Sequence, residues 1–251
     1  MARGEPSGCT GPGGWLALVA TTIGNLEDIT LRALRVLREA DLIAAEDTRR
    51  ARNLCRHFEV PASLVSYHAH NEHRKTELLL DDVAAGRRVA VLSDAGTPAI
   101  SDPGFLLVRA ALARGIEPIV VPGVSALTHA VVACGLPVDR FSFLGFPPVK
   151  SGRRQRFWQE LRSRSETVIL FEAPHRIERL LSEVTEALGP DTRIVLVREA
   201  TKLHEECVRG PVGQLRLKHE GRTWRGEFTV VIGRRQEPST ADESDAGPGL
   251  S

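Results

Sequence analysis

The densest group of chemically capable residues is the run from Ser93 to Gly104, SDAGTPAISDPG, which sets Asp94, Ser101 and Asp102 among glycines at 96 and 104. Carboxylates bind ribose hydroxyls or face a cation, glycine lets backbone approach a ligand closely, and amides at a helix start bind acceptor groups. Capping and turning alone account for Asp102, Pro103 and Gly104, but twelve residues are more than a strand-to-helix connection requires. Three other polar turns accompany it: Thr21, Thr22, Asn25, Glu27 and Asp28; then Glu46, Asp47, Thr48 and Arg49; then Val121 to Leu127 with Pro122, Gly123 and Ser125. In the second half, Phe171 to Arg176 (FEAPHR) presents Glu172, His175 and Arg176, and Arg198 to Glu206 presents Lys202, His204 and Glu205. A lone histidine at a helix start is more often a capping or surface group than a catalyst.

These turns need a scaffold that delivers them to one edge. Apolar runs at Leu16–Ala20, Leu42–Ala45, Leu64–Tyr67, Val89–Leu92 and Ile116–Val121 read as strands, each followed by a helical pattern. Thr30 and Asn71 are expected as N-caps, Asp102 and Pro103 as the opening of a helix closed by Gly115, and Val124–Cys134 as the last helix. Strand-helix alternation predicts an α/β domain with a largely parallel sheet over 15–140, whose ligands sit outside the carboxyl ends of the strands. After Phe141, Phe143, Phe146 and the break at Pro147-Pro148, a second α/β domain over 141–234 is expected. It has a Trp158 helix, strands at Val168–Phe171, Ile194–Val197 and Phe228–Ile232, and a helix over Pro174–Leu188. Residues 1–14 and 235–251 have the composition of mobile tails.

Composition narrows the function classes. At 42% hydrophobic and 26% charged, with 22 Gly and 15 Pro, the chain is neither collagen-like nor wholly disordered. No apolar run is long enough to cross a bilayer and the first residues lack a signal-peptide core, so a cytoplasmic location is expected. Cys9, Cys55, Cys134 and Cys207 lack metal or disulfide spacing, and no metal is expected. Neither GxGxxG after the first strand nor a phosphate loop is present, which removes Rossmann dinucleotide and P-loop sites. Net charge is only +1, but basic residues cluster at Arg49, Arg50, Arg52, Arg56 and at Lys150, Arg153, Arg154, Arg156, while Glu237, Asp242, Glu243 and Asp245 collect in the C-terminal tail. A basic cluster taken singly is a solvated helix face; beside a site it becomes a phosphate-binding surface.

In order along the chain, TTIGNLEDITLRAL, LIAAEDTRR, SYHAHNE, LSDAGTPAISDPG, VPGVSAL, DRFSFLGFPP, FEAPHR, EATKLHEE and GEFTVVIG occur between Leu16 and Gly233. Together they resemble the bacterial small-subunit ribosomal RNA ribose methyltransferase I family of the tetrapyrrole methylase superfamily. The resemblance implies a two-domain α/β fold, a homodimer, and S-adenosylmethionine in the cleft between the domains. The implied substrate is the 2'-hydroxyl of a cytidine in the decoding region of 16S rRNA, with neither membrane nor DNA as partner. The superfamily's cofactor pocket falls on Thr22, Asp94, Ala95, Gly96, Ile100, Ser101, Ser125, Ala126, Ala173 and Gly226. Thr22 stands where the family usually has proline, which loosens the turn and puts a hydroxyl at the site.

A ribose hydroxyl needs a general base, and Glu172, Asp47 and Glu205 are the candidate carboxylates, with His175 and Lys202 as alternatives. Phosphate contacts are expected from Arg49, Arg50, Lys150, Arg153, Arg154, Arg176 and Lys202, with Phe146 or Tyr67 stacking on a base. Competing readings are methylation of a tetrapyrrole or a protein side chain, and a nonenzymatic RNA-binding assembly protein.

Overall fold

The computed structural model describes residues 13–234. The two segments expected as mobile tails lie outside them, apart from residues 13 and 14. The described residues form two compact units, 13–132 with 198–206, and 133–197 with 207–234.

The first unit is built on strands β1 (Trp15–Val19), β2 (Leu42–Ala45), β3 (Leu64–Ser66), β4 (Arg88–Leu92) and β5 (Ile119–Val121), in the order β3-β2-β4-β1-β5. Every ladder between neighbours is parallel. Helices α1 (Leu31–Glu39), α2 (Thr48–His57), α3 (Glu72–Ala84), α4 (Phe105–Ala113) and α5 (Ala126–Cys134) follow the strands in turn. Alternation along β1 divides the core: Trp15, Ala17 and Val19 pack with Val36, Leu37, Ala51 and Cys55 of α1 and α2, while Leu16 packs with Leu80, Val83 and Leu107 of α3 and α4. A sheet covered on both faces reads as unbroken apolar strands, which is what Leu42–Ala45 and Val89–Leu92 are. Each fully buried Leu or Val in these layers contributes about 1.5–3 kcal/mol.

Register sets where the turns emerge. Val19 is level with Leu92 and with Val121, and Ala45 is level with Leu92. The turns beginning at 20, 46, 93 and 122 therefore leave the sheet side by side. Moreover, β1 feeds α1 on one face and its neighbour β4 leads to α4 on the other, the switch point at which an α/β sheet opens a crevice.

The second unit carries β6 (Phe141–Phe143), β7 (Thr167–Glu172), β8 (Arg193–Arg198), β9 (Glu206–Pro211) and β10 (Phe228–Ile232), ordered β6-β7-β10-β8-β9. β6 runs parallel to β7 and β10 antiparallel to it. Helices α6 (Ser151–Leu161), α7 (Ile177–Leu188) and α8 (Val212–Lys218) supply Trp158, Leu180, Leu181, Val184 and Leu215 to its core.

Thr30 caps α1 as expected, its side chain accepting from the Ala33 amide at 3.0 Å. Three local expectations are corrected. α4 begins at Phe105 after Gly104, whose φ of +141° only glycine adopts comfortably, so Asp102 and Pro103 belong to the loop. Asn71 holds the N-cap position of α3 but makes no side-chain cap bond; its Oδ1 accepts from the His68 amide at 2.9 Å and its Nδ2 donates to Ser66, closing the preceding turn instead. β5 starts at Ile119 rather than Ile116.

Candidate active site

The turns at the level strand ends are tied to one another through backbone. The Thr21 amide donates to Gly96 O at 2.8 Å, and the Gly96 amide donates back to Thr22 O at 3.2 Å. Gly96 holds a φ of +74° there, and a Cβ on it would stand 3.3 Å from Ile23 Cγ2, which is why glycine occupies the position. Gly123 serves the next turn by close approach, since a Cβ would stand 2.8 Å from that of Ala20. Asp94 reaches sideways: its Oδ1 accepts from the Asp47 amide at 2.9 Å, and its Oδ2 lies 3.6 Å from Arg50. Ala99 and Ser101 stand at φ of +68° and +62°, a left-handed backbone costly for residues with a Cβ and typical of segments held in place for function. Between these turns lies a cleft of about 270 Å³ lined by Thr21, Thr22, Asp47, Arg50, Ser93 and Asp94 among others.

The carboxylates of this edge divide by environment. Asp47 is held down, to about 2, by its hydrogen bonds from the Arg49 side chain and amide, so it is a poor proton acceptor. Asp102 goes the other way, pushed up to about 7 by burial and then by the negative charges of Glu46 and Asp94. Glu46 is raised as well, first by burial and then by Asp94. No hydrogen bond or ion pair among the described residues engages the Asp102 carboxyl.

The Arg198–Glu206 turn belongs to the first unit, although it is far from it in sequence. Thr201 Oγ1 accepts from the Asn25 amide at 3.1 Å. The stem of Lys202 crosses Gly24 so closely that a Cβ there would stand 2.3 Å from Lys202 Cγ. Lys202 Nζ pairs with Glu199 at 3.0 Å. Glu205 accepts from the Thr201 amide at 2.7 Å and meets His129 Nε2 of α5 at 3.2 Å, so both of its oxygens brace the turn. Glu199 and Thr201 are left-handed, with φ of +52° and +65°.

In the second unit, Glu172 and Arg154 form a sealed ion pair at 3.0 Å, with side chains 0% and 1% exposed. Arg154 also reaches Glu183 at 2.6 Å, Trp158 Nε1 donates to the same Glu183 oxygen, and Arg176 Nε lies 2.7 Å from Glu172 Oε1. The Ala173 amide donates to Glu172 Oε1 as well. Two expectations fall here. Arg154 is enclosed with its partners and offers nothing to a phosphate. Glu172, with both oxygens held by guanidiniums and its side chain enclosed, orders the Phe171–Arg176 turn. The sequence held a signal for this: Arg154 shares the i, i+4, i+7 face of α6 with buried Trp158 and Leu161.

Other expected residues stand as follows. Arg49 and Arg50 are exposed, their ion pairs to Asp47 and Asp94 notwithstanding. Lys150 and Arg153 are exposed at the start of α6. Ser125 accepts from the Leu127 amide at the start of α5, beside Ala126, and Ile100 and Ser101 are exposed at the bend of the long loop. Gly226, at φ +90°, precedes β10. Tyr67 is buried, its hydroxyl 3.2 Å from Thr76, which removes it as a stacking platform; Phe146 is 51% exposed beside Phe171.

The model of the Tetrapyrrole (Corrin/Porphyrin) Methylases family matches residues 16–216. Ribosomal RNA small subunit methyltransferase I of Halalkalibacterium halodurans is 43% identical over 90% of this chain and 78% of its own length. The protein of the same name from Thermotoga maritima is 42% identical, over 89% of this chain and all (100%) of its own. Among solved structures, uroporphyrin-III-C-methyltransferase from Thermus thermophilus superposes with a TM-score of 0.63 at 25% identity, covering 88% of this chain and 94% of that one. Diphthine synthase superposes with a TM-score of 0.69 at 18% identity, covering 87% and 90%. Fold, motif order and these identities together establish that the chain belongs to the tetrapyrrole methylase family and, within it, to the ribosomal RNA small subunit methyltransferase I group.

Proposed function

We propose that the chain methylates the ribose 2'-hydroxyl of a cytidine in the decoding region of 16S rRNA, with S-adenosylmethionine as methyl donor, and that it works as a homodimer. The observation that carries the reading is the set of interlocked polar turns at the level ends of β1, β2, β4 and β5, in a chain alike over nine-tenths of its length to named rRNA methyltransferases. The cleft suits the donor: carboxylate and hydroxyl groups of Asp94 and Thr22 fit the hydroxyls and positive charge of a sulfonium nucleoside, and Gly96 leaves backbone accessible. Ala95, Ile100, Ser101, Ser125 and Ala126 lie on the same turns, whereas Ala173 and Gly226 stand in the second unit, after β7 and before β10.

When bound, the donor supplies an electrophilic methyl carbon on a positive sulfur, so the transfer itself needs no covalent help from the protein. What the chain must do is orient the ribose oxygen and take one proton as the O–C bond forms. Asp102 and Glu46 are the candidates for that proton, both raised by burial and by the negative charge of Asp94; Asp47, Glu172 and Glu205 are each committed to other bonds, and of the two Asp102 is tested first. Arg49, Arg50, Lys150, Arg153 and Lys202 serve phosphates, and Arg176 the Glu172 network first. Phe105 and Leu112 on α4, Val120 on the edge strand β5 and Val132 on α5 are exposed apolar side chains of the kind that a second copy covers.

Methylation of a tetrapyrrole or a protein side chain, as the names of the fold relatives suggest for those proteins, leaves the exposed arginines at Arg49, Arg50, Arg153 and Arg156 without a role. The test is thermal: S-adenosylmethionine at 100 times its dissociation constant stabilises the protein by about 2.7 kcal/mol, and Gly96→Val abolishes the shift. A wild-type protein whose melting temperature ignores the compound contradicts the reading.

A further inference from the structure

A second cavity, of about 650 Å³, lies wholly within the second unit, at the beginning of β7 and β8 and the end of β10. Its lining includes four arginines, Arg162, Arg164, Arg193 and Arg234, against two carboxylates, Glu166 and Asp191. Leu161, Val168, Leu188 and Ile232 also line it, three of them buried beneath the polar groups. Three of the four guanidiniums are held in place. Arg162 Nε donates to Ala187 O at 2.6 Å, at the carbonyl end of α7, where it offsets the negative pole that would otherwise repel an anion. Arg164 donates to Glu166 at 2.8 Å and to Ser142 Oγ at 3.3 Å, and Arg234 approaches Asp139 at 3.4 Å. Glu166 stays ionised and internally neutralised, and Arg193, exposed, has no carboxylate partner among the described residues.

Four arginines against two carboxylates, one of which is already paired with Arg164, suit a phosphate, and a cavity of about 650 Å³ has room for the nucleotide that carries it. β7 spans from Thr167 beside this cavity to Glu172 at the Phe171–Arg176 turn, about 17 Å at the usual rise per residue. We propose that this arginine-rimmed cavity holds a nucleotide of the RNA substrate other than the one methylated, with Arg193 as its principal phosphate contact. The proposal rests on the rRNA methyltransferase reading and adds to it a contact, remote from the turn motifs, that a folded subunit can reach and a single nucleotide cannot.

The experiment measures binding of small ribosomal subunits and methyl transfer to them, over a range of salt, for wild type, Arg193→Gln and Arg193→Glu. One lost phosphate contact lowers the slope of log affinity against log salt by about 0.7–0.9 and weakens binding about fourfold at 0.15 M. We expect that loss in Arg193→Gln, a larger one in Arg193→Glu, and unchanged kcat and S-adenosylmethionine affinity in both. Wild-type slope and KM in both variants overturn the proposal while leaving the function intact. A loss of kcat accompanied by a lowered melting temperature in both variants also overturns it, since that is the mark of a structural role. Absence of binding and transfer by the wild type sinks the parent reading instead.

Discussion

Arg154 Nη2 donates to Glu172 Oε2 at 3.0 Å, with neither side chain reaching solvent. Such a pair adds little net stability compared with two apolar residues, because desolvation offsets the attraction, but breaking it strands a buried charge. Arg154→Ala is therefore expected to lower unfolding free energy by about 3–5 kcal/mol, and the double variant Arg154→Met/Glu172→Leu to restore only part of it, because Arg176 then loses its carboxylate. Urea denaturation measures both; a loss under about 1 kcal/mol in the single variant would show that the network does not hold the turn.

Asp102 gives the stability a pH dependence of unusual sign. Its carboxyl keeps its proton in the folded state up to about 7, whereas an ordinary aspartate loses it near 3.8, so between these limits the native state binds more protons than the unfolded one. Stability then falls as pH rises through that window. Asp102→Asn is expected to melt higher than wild type above pH 7, with the gap closing below pH 4. Parallel melting curves across the whole range contradict the burial of this group.

The same variant separates proton transfer from cofactor binding. Removing a general base typically costs about 10²–10⁴ in rate. Asp102→Asn should lose kcat on that scale while keeping S-adenosylmethionine affinity. Unchanged kcat would return the search for the base to Glu46, which burial and Asp94 also raise, and to His175.

Gly24→Ala tests the docking of the Arg198–Glu206 turn. The added Cβ would stand 2.3 Å from Lys202 Cγ, so the turn must shift and the bond from the Asn25 amide to Thr201 weakens. Overpacking of this kind costs about 1–3 kcal/mol. Faster proteolysis within residues 198–206 is the expected readout, and wild-type resistance is the contrary one.

How much of this was legible in the residues differs by length scale. The parallel sheet was readable because strands buried on both faces are unbroken apolar runs, and Thr30 because a side-chain cap acts within three residues. Asn71 misled, since its amide satisfies the turn before the helix as readily as the helix itself. Arg154 misled because it was read as part of a charge cluster when its spacing to Trp158 and Leu161 already put it on the buried face. β9 and α8 went unread: Glu206–Pro211 is only half-buried, without a clear apolar alternation. That the Arg198–Glu206 turn packs with the first unit depends on contacts 176 residues apart, as between Asn25 and Thr201, which no local pattern encodes. Asp102 carries the subtlest lesson, because its role depends on which charges fold beside it, Glu46 and Asp94, and not on its neighbours in the chain.

The central claim is methyl transfer to one ribose. Purified protein with S-adenosylmethionine labelled in its methyl group is incubated with small ribosomal subunits that lack the modification, and the labelled nucleotide is mapped. The account predicts label on the 2'-oxygen of a cytidine in the decoding region, resistant to alkaline cleavage at that position. Label on a base, on a ribosomal protein, or nowhere despite bound cofactor would contradict it.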